Sequence, residues 1–290
     1  MNIRKSSILL AVLAAVVLAV SPLQAVAGFT LIDDFESYSV GLLRDEVTGA
    51  TVSEGGIWEP INATTSGAGI ALDGANHYLA TGVPGGGNIR GAYGNVPAIA
   101  DGSSAMYYFQ IWTSDATPNN SWGLSDIAAP TNFPDFEVQI ILNGNTNGGT
   151  GLFDLRGRNG ALTDVLQSGL TANTWYDVWI DVDNATDTYD VYFGTSGDPN
   201  VLGALVGSNL AFRNGTSDSL ITFVSLGFEH DLRAAGTDNL YRYEQDVVVP
   251  EPASVALAIG SVALLACFPS RSIVRTCSSL RVGQISRQLT

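Results

Sequence analysis

The chain has 290 residues, of which 46% are hydrophobic and 14% charged, and its 28 acidic side chains against 13 basic ones give a formal net charge of −15. A surface this acidic repels phosphate backbones and anionic lipid headgroups, so nucleic acid is excluded as a partner. Its two cysteines, Cys267 and Cys277, lie near the C-terminus, so everything before them must hold together by its core, without a disulfide.

The N-terminus reads as an export signal. Arg4 and Lys5 form a charged leader, Ile8 to Val20 an apolar core, and Pro22 breaks it. Ala25 and Ala27 present small side chains at the two positions a signal peptidase reads, which places cleavage after Ala27 and makes residues 1–27 the signal peptide. No cysteine follows the apolar core, which argues against a lipid anchor. From Gly28 to Val249 there are seven arginines, no lysine and 27 carboxylates, a net charge of −20. Residues 28–246 are enough for one domain with a core of its own.

No long stretch of that domain shows helical apolar periodicity. Short alternating runs between Gly, Asn and Asp turn signals predict an all-β, antiparallel sandwich or barrel. The predicted strands are 30–35, 105–112, 136–142, 152–156, 175–183, 188–193 and 220–228. Residues 143–149 read as a loop, and 64–94 as a mixture of short strands and loops.

One hairpin fixes its own register. Tyr176, Val178, Ile180 and Val182 alternate with Trp175, Asp177, Trp179, Asp181 and Asp183. Successive side chains of a strand point to opposite faces, so the first set is the core face. With a four-residue turn over 184–187, Val182 aligns with Tyr189, Ile180 with Val191 and Val178 with Phe193. A one-residue slip would set apolar side chains against polar ones. The outer face then carries Trp179 opposite Tyr192 and Asp181 opposite Asp190. An aromatic ring beside carboxylates suits a pyranose, whose flat face stacks while its hydroxyls donate. The same strip is also what the solvated face of an acidic sheet looks like, because two unit charges about 5 Å apart repel by only ~1 kcal/mol in water.

No Walker-type, dinucleotide-binding or Cys-x-x-Cys motif occurs, and the two histidines, His77 and His230, stand in no catalytic or metal-binding spacing. Near the C-terminus, Val249-Pro250-Glu251-Pro252-Ala253-Ser254 precedes an apolar run from Val255 to Phe268, then Arg271, Arg275, Arg281 and Arg287. The prolines stiffen the junction, and the arginines cross a bilayer only at high cost.

That order of proline-flanked motif, apolar segment and basic tail resembles the PEP-CTERM sorting signal of exported proteins in Gram-negative bacteria. The resemblance implies a sorting region over 247–290, with its motif at 250–252 and a transmembrane segment at about 253–268. It implies an exosortase-type enzyme as partner, transient anchoring in the inner membrane, and delivery to the cell surface or the extracellular matrix. The hairpin around Trp175–Asp183, the opening Asp33-Asp34-Phe35-Glu36-Ser37-Tyr38 and the closing Thr237-Asp238-Asn239-Leu240-Tyr241 resemble the concanavalin A-like lectin/glucanase superfamily, in particular laminin-G-like jelly rolls. That likeness implies a jelly-roll sandwich with its first and last strands side by side. It also implies a structural Ca²⁺ at the seam, held by Asp33, Asp34, Glu36 and Asp238.

The expected role is binding of a glycan or surface polymer, with a non-binding structural surface protein as the alternative. Glycoside hydrolysis ranks third. The glucanases of the superfamily place their carboxylates on one strand as Glu-x-Asp-x-x-Glu, a string this chain lacks, and the nearest strand carboxylate, Glu137, has Gln139 as its same-face neighbour. No catalytic residue is expected.

Overall fold

The computed structural model describes residues 28–43, 57–61, 68–81, 89–115, 117–144, 152–228 and 235–244. They contain sixteen strands: β1 Thr30–Asp33, β2 Gly41–Leu42, β3 Trp58–Ile61, β4 Ala68–Asp73, β5 Asn76–Thr81, β6 Ile89–Ile99, β7 Ser104–Thr113, β8 Asn119–Ser125, β9 Val138–Gly144, β10 Leu152–Asn159, β11 Leu162–Thr171, β12 Tyr176–Asp183, β13 Thr188–Gly194, β14 Ala204–Ala211, β15 Leu220–Phe228 and β16 Ala235–Glu244. One short 3-10 turn, Phe133–Asp135, is capped by Asn132. The expected signal peptide with Ala25 and Ala27, the motif Pro250-Glu251-Pro252 and the apolar segment after it lie outside the described residues. Among the described residues no helix is long and apolar enough to cross a membrane.

Two antiparallel sheets form a sandwich, so the all-β expectation is met. A nine-stranded sheet runs β14-β13-β12-β7-β16-β5-β4-β2, with β1 also on β16, and a seven-stranded sheet runs β11-β10-β9-β8-β15-β6-β3. Strand alternation builds the core between them. Tyr107, Phe109 and Ile111 of β7 and Val178, Ile180 and Val182 of β12 meet Trp122, Ile140, Phe153 and Phe223 from the other sheet, all buried. Phe109 and Phe223 close the interface edge to face, with ring centroids 4.9 Å apart.

The β12–β13 hairpin has the register its side chains dictate: Val182 faces Tyr189, Ile180 faces Val191, Val178 faces Phe193, and on the outer side Trp179 faces Tyr192 and Asp181 faces Asp190. The first and last strands do pair, β1 with β16 over Thr30↔Arg242 and Leu31↔Tyr241. One flank of β16 is shared. Ala235–Thr237 pairs with β5, a break in register follows at Asp238, and residues from Leu240 onward take β1. Asn239 makes that switch with φ at 52°, a left-handed conformation that asparagine tolerates better than most residues.

Each sheet has one edge at the same side of the sandwich, β14 for the larger and β11 for the smaller. Both edges are irregular. The register of β14 against β13 shifts on both sides of Val191, and that of β11 against β10 shifts around Leu155.

Candidate functional site

The outer face of the nine-stranded sheet carries a set of polar and aromatic side chains that the core does not use. Its centre is a closed polar row. Asp177 (β12), Gln110 (β7) and Asp238 (β16) stand side by side across three strands. Asp177 is fully buried. It accepts hydrogen bonds from the Tyr108 hydroxyl and Gln110 Nε2, both at 2.9 Å, and from Gly197 N–H at 2.8 Å and the Ser196 hydroxyl at 3.1 Å. Asn239 Nδ2 ties Gln110 Oε1 to Asp238 Oδ2 at 2.7 and 3.1 Å. Asn76 Nδ2 adds a second donor to Asp238 Oδ2 at 2.8 Å. Burial pushes the Asp238 carboxyl up to about 6, the donors from Asn76 and Asn239 pull it down, and Glu36 and Asp34 raise it further. Burial raises the Tyr108 hydroxyl, and so does the charge of Asp177.

Trp179 lies beneath a roof. Its ring is fully buried, 5.0 Å from that of Tyr108, and its indole N–H donates to Pro199 O at 2.9 Å. Gly203 passes so close that a Cβ there would fall 2.9 Å from Trp179 Cζ3, which requires glycine at that point of the roof. Trp179 therefore anchors the 195–203 segment and presents no open face for stacking, which corrects its expected role as a sugar platform.

Asp181 and Asp190 do come together. They line an open polar groove of about 310 Å³ with Ser103, Ser104, Asp183 and Asn209. Tyr192 is half-exposed nearby, its hydroxyl raised by burial and by the charges of Asp181 and Asp190. Asp190 also braces the edge of the sheet. Its Oδ1 accepts Asn209 N–H at 2.7 Å, where Asn209 turns the irregular edge strand with φ at 52°.

The seam between β1 and β16 differs from the expected calcium cradle. Asp33 Oδ1 accepts Phe35 N–H at 2.9 Å, and Oδ2 accepts the Tyr38 hydroxyl at 2.6 Å and the Trp58 indole N–H at 2.8 Å. Asp34 accepts Glu36 N–H at 3.2 Å, and Glu36 holds His77 through its backbone N–H at 3.0 Å and Nδ1 at 3.1 Å. Asp238 has the three donors from Asn76 and Asn239. Calcium needs six to eight oxygens turned toward one point, whereas these four carboxylates are turned toward N–H and O–H groups. Among the described residues no group of three or more His, Cys, Asp or Glu could hold a metal. The Asp33 set acts as a turn clamp instead.

Glu137, weighed as a catalytic carboxylate, is also committed. It is 4% exposed and accepts N–H groups of Asn214 and Gly215 at 3.0 and 3.1 Å and Asn214 Nδ2 at 2.8 Å. It anchors the loop after β14.

The accessible aromatic surface lies elsewhere on the same face. Trp112, near the end of β7, and Trp175, just before β12, are half-buried and stacked, with centroids 6.1 Å apart and planes at 28°. Beneath them Tyr78 of β5 packs against both, at 5.7 and 5.5 Å. The Trp175 indole N–H donates to Asp73 Oδ2 at 2.9 Å. Gly236 is the floor: a Cβ there would meet the Tyr78 ring at 2.6 Å and Trp175 at 3.2 Å. Sequence reasoning passed over this shelf, although Trp175 shares its alternation with Trp179 and Trp112 closes a predicted strand. No periodic signal says which tryptophan a loop will cover.

No protein-family model matches the chain, and no curated protein shows significant similarity to it. Among solved structures it is similar to a sialidase, at 13% identity and TM-score 0.46, over 74% of this chain and 19% of the sialidase. It is similar to lectin II from Ulex europaeus at 9% identity and TM-score 0.46, over 66% of this chain and 93% of the lectin. It is also similar to the exoplasmic/lumenal domain of VIP36 in a Ca²⁺/Man2-bound form, at 10% identity and TM-score 0.41, over 68% of this chain and 85% of that domain. The chain thus spans about a fifth of the sialidase's length. With likenesses this low, the fold assignment rests on the strand order and register given above.

Proposed function

We propose that the domain of residues 28–246 is a non-catalytic binding module for a glycan or surface polymer, exported and displayed outside the cytoplasm. The observation that carries the reading is the half-exposed, stacked Trp112–Trp175 pair, packed against Tyr78 beside Gly236. Two rigid, partly exposed indoles offer apolar area at low entropic cost, and the flat face of a sugar ring complements such a surface. Binding rather than hydrolysis is supported by the state of the carboxylates. Glu137 and Asp177 are buried under donors that serve loops and strands, so neither is positioned to attack a substrate or to protonate a leaving group. In this reading a signal peptidase removes residues 1–27. An exosortase-type enzyme then acts at Pro250-Glu251-Pro252 and passes the domain from the inner membrane to the surface.

The direct experiment is a polysaccharide panel probed with the purified protein and with Trp175→Ala. Retention on at least one glycan, lost in the variant, supports the module; equal retention of both proteins removes the shelf from the account. Export is tested separately by fractionation: full-length, uncut protein confined to the cytosol overturns it.

A further inference from the structure

The nine-stranded sheet displays one sign of charge. Among the described residues its strands contain a single arginine, Arg242, which is 6% exposed, faces inward over the Tyr107 ring and donates to the Pro97 and Ala98 carbonyls. Arg156 and Arg158 belong to the other sheet, and Arg213 bonds Gln139 there. Carboxylates face outward instead: Asp181, Asp183 and Asp190 in the groove, and Asp73 at the rim of the shelf.

Asp73 and the indoles attract the same kind of group by different means. The negative face of an indole attracts a cation within about 6 Å of its centroid, and a carboxylate beside it adds an ion pair. A neutral sugar gains the stacking and hydroxyl hydrogen bonds, without the cation attraction of either group. An anionic one is repelled by the whole face. An ammonium on a sugar ring gains both attractions.

We propose that the Trp112–Trp175 shelf binds a cationic amino-sugar polymer, a polysaccharide whose ring amines are free rather than acetylated. This rests on the glycan-binding reading above and names its ligand class. The pyranose face lies on the indoles and its ammonium substituent meets Asp73. The 195–203 segment covers Trp179 and Asp177 further along β12, so the contact is confined to the shelf and Asp73.

The test compares the purified protein on deacetylated poly-glucosamine and on the same polymer fully N-acetylated, at low and high salt. The expected result is affinity for the deacetylated polymer higher by roughly tenfold, falling with salt. A Trp112→Ala/Trp175→Ala variant, which keeps the net charge, loses that binding. Asp73→Asn keeps both rings and narrows the difference between the polymers, so the question stays answerable if the double variant fails to fold. A folded double variant that binds the deacetylated polymer as well as the parent overturns the proposal, because overall charge would then suffice. Equal or tighter binding of the acetylated polymer through the same tryptophans overturns the amine preference and leaves the glycan-binding module standing. Binding to neither polymer, together with a blank polysaccharide panel, removes both.

Discussion

Trp58 donates its indole N–H to Asp33 Oδ2 at 2.8 Å, joining the second sheet to the first strand of the other. Both partners are buried, at 2% and 9% exposure. The same oxygen takes the Tyr38 hydroxyl, so one carboxylate organises the chain from β1 into the following turn. Trp58→Phe keeps the apolar ring against Phe35 and Phe223 and removes only the donor. A hydrogen bond to a charged group is worth about 1.5–3 kcal/mol. The variant is expected to lose about that much in denaturant unfolding, with an unchanged m-value. Asp33→Ala, which strands three donors, is expected to lose more.

The Asp238 carboxyl makes stability depend on pH in a definite direction. Its folded value of about 6 lies above the unfolded value, chiefly through burial. The protonated form is the one the folded state favours. Its contribution is therefore fully present below about pH 4 and is lost as pH rises through about 6. Across that window the parent is expected to lose a few kcal/mol relative to Asp238→Asn, as read from paired melts at stepped pH. Parallel curves for the two proteins would remove Asp238 as the cause.

Asp181 and Asp190 are opposite each other on one face of the β12–β13 ladder. Like charges so placed destabilise a sheet. Replacing Asp190 would also release the Asn209 N–H and loosen β14, so the charge is removed at Asp181. Asp181→Asn is expected to gain up to about 1 kcal/mol at low ionic strength, fading as salt screens the pair. A gain that persists in high salt would point to a cause other than charge.

Gly236 holds the shelf down. In Gly236→Ala the new Cβ meets the Tyr78 ring, and overpacking of this kind costs about 1–3 kcal/mol. The variant is expected to melt earlier and to show altered tryptophan fluorescence, because Tyr78 must move and Trp112 and Trp175 rest on it.

What the sequence disclosed follows from how differently the two faces of a strand are labelled. In β12, apolar and polar side chains alternate from Tyr176 to Asp183, broken only by the indole of Trp179 on the polar face, so register and partner could be read directly. The strands left unassigned lack that contrast. β8 reads Asn-Asn-Ser-Trp-Gly-Leu-Ser, with polar and small side chains on both faces. β11 is an edge strand that buries only Leu170. β6 contains Gly91, where a Cβ would strike the backbone of β15, so close approach of two main chains replaces side-chain packing. The site was half legible for a similar reason. Alternation puts Trp175 and Trp179 on the same outer face, but the roof over Trp179 depends on Gly203 and on Pro199 O. Those contacts leave no mark on periodicity. The carboxylates of the β1–β16 seam are bonded to N–H and O–H groups, and that bonding could not be inferred from composition.

The irregular rims of both sheets bear on how copies of this chain meet one another. A straight, unpaired strand invites a neighbouring molecule to continue the ladder, and this chain has no cysteine cross-link between Gly28 and Val249 to resist slow remodelling. Asn209, clasped by Asp190, kinks β14 out of line, and β11 is likewise out of step with its partner. A second copy meeting either of these two rims therefore finds no straight ladder to continue.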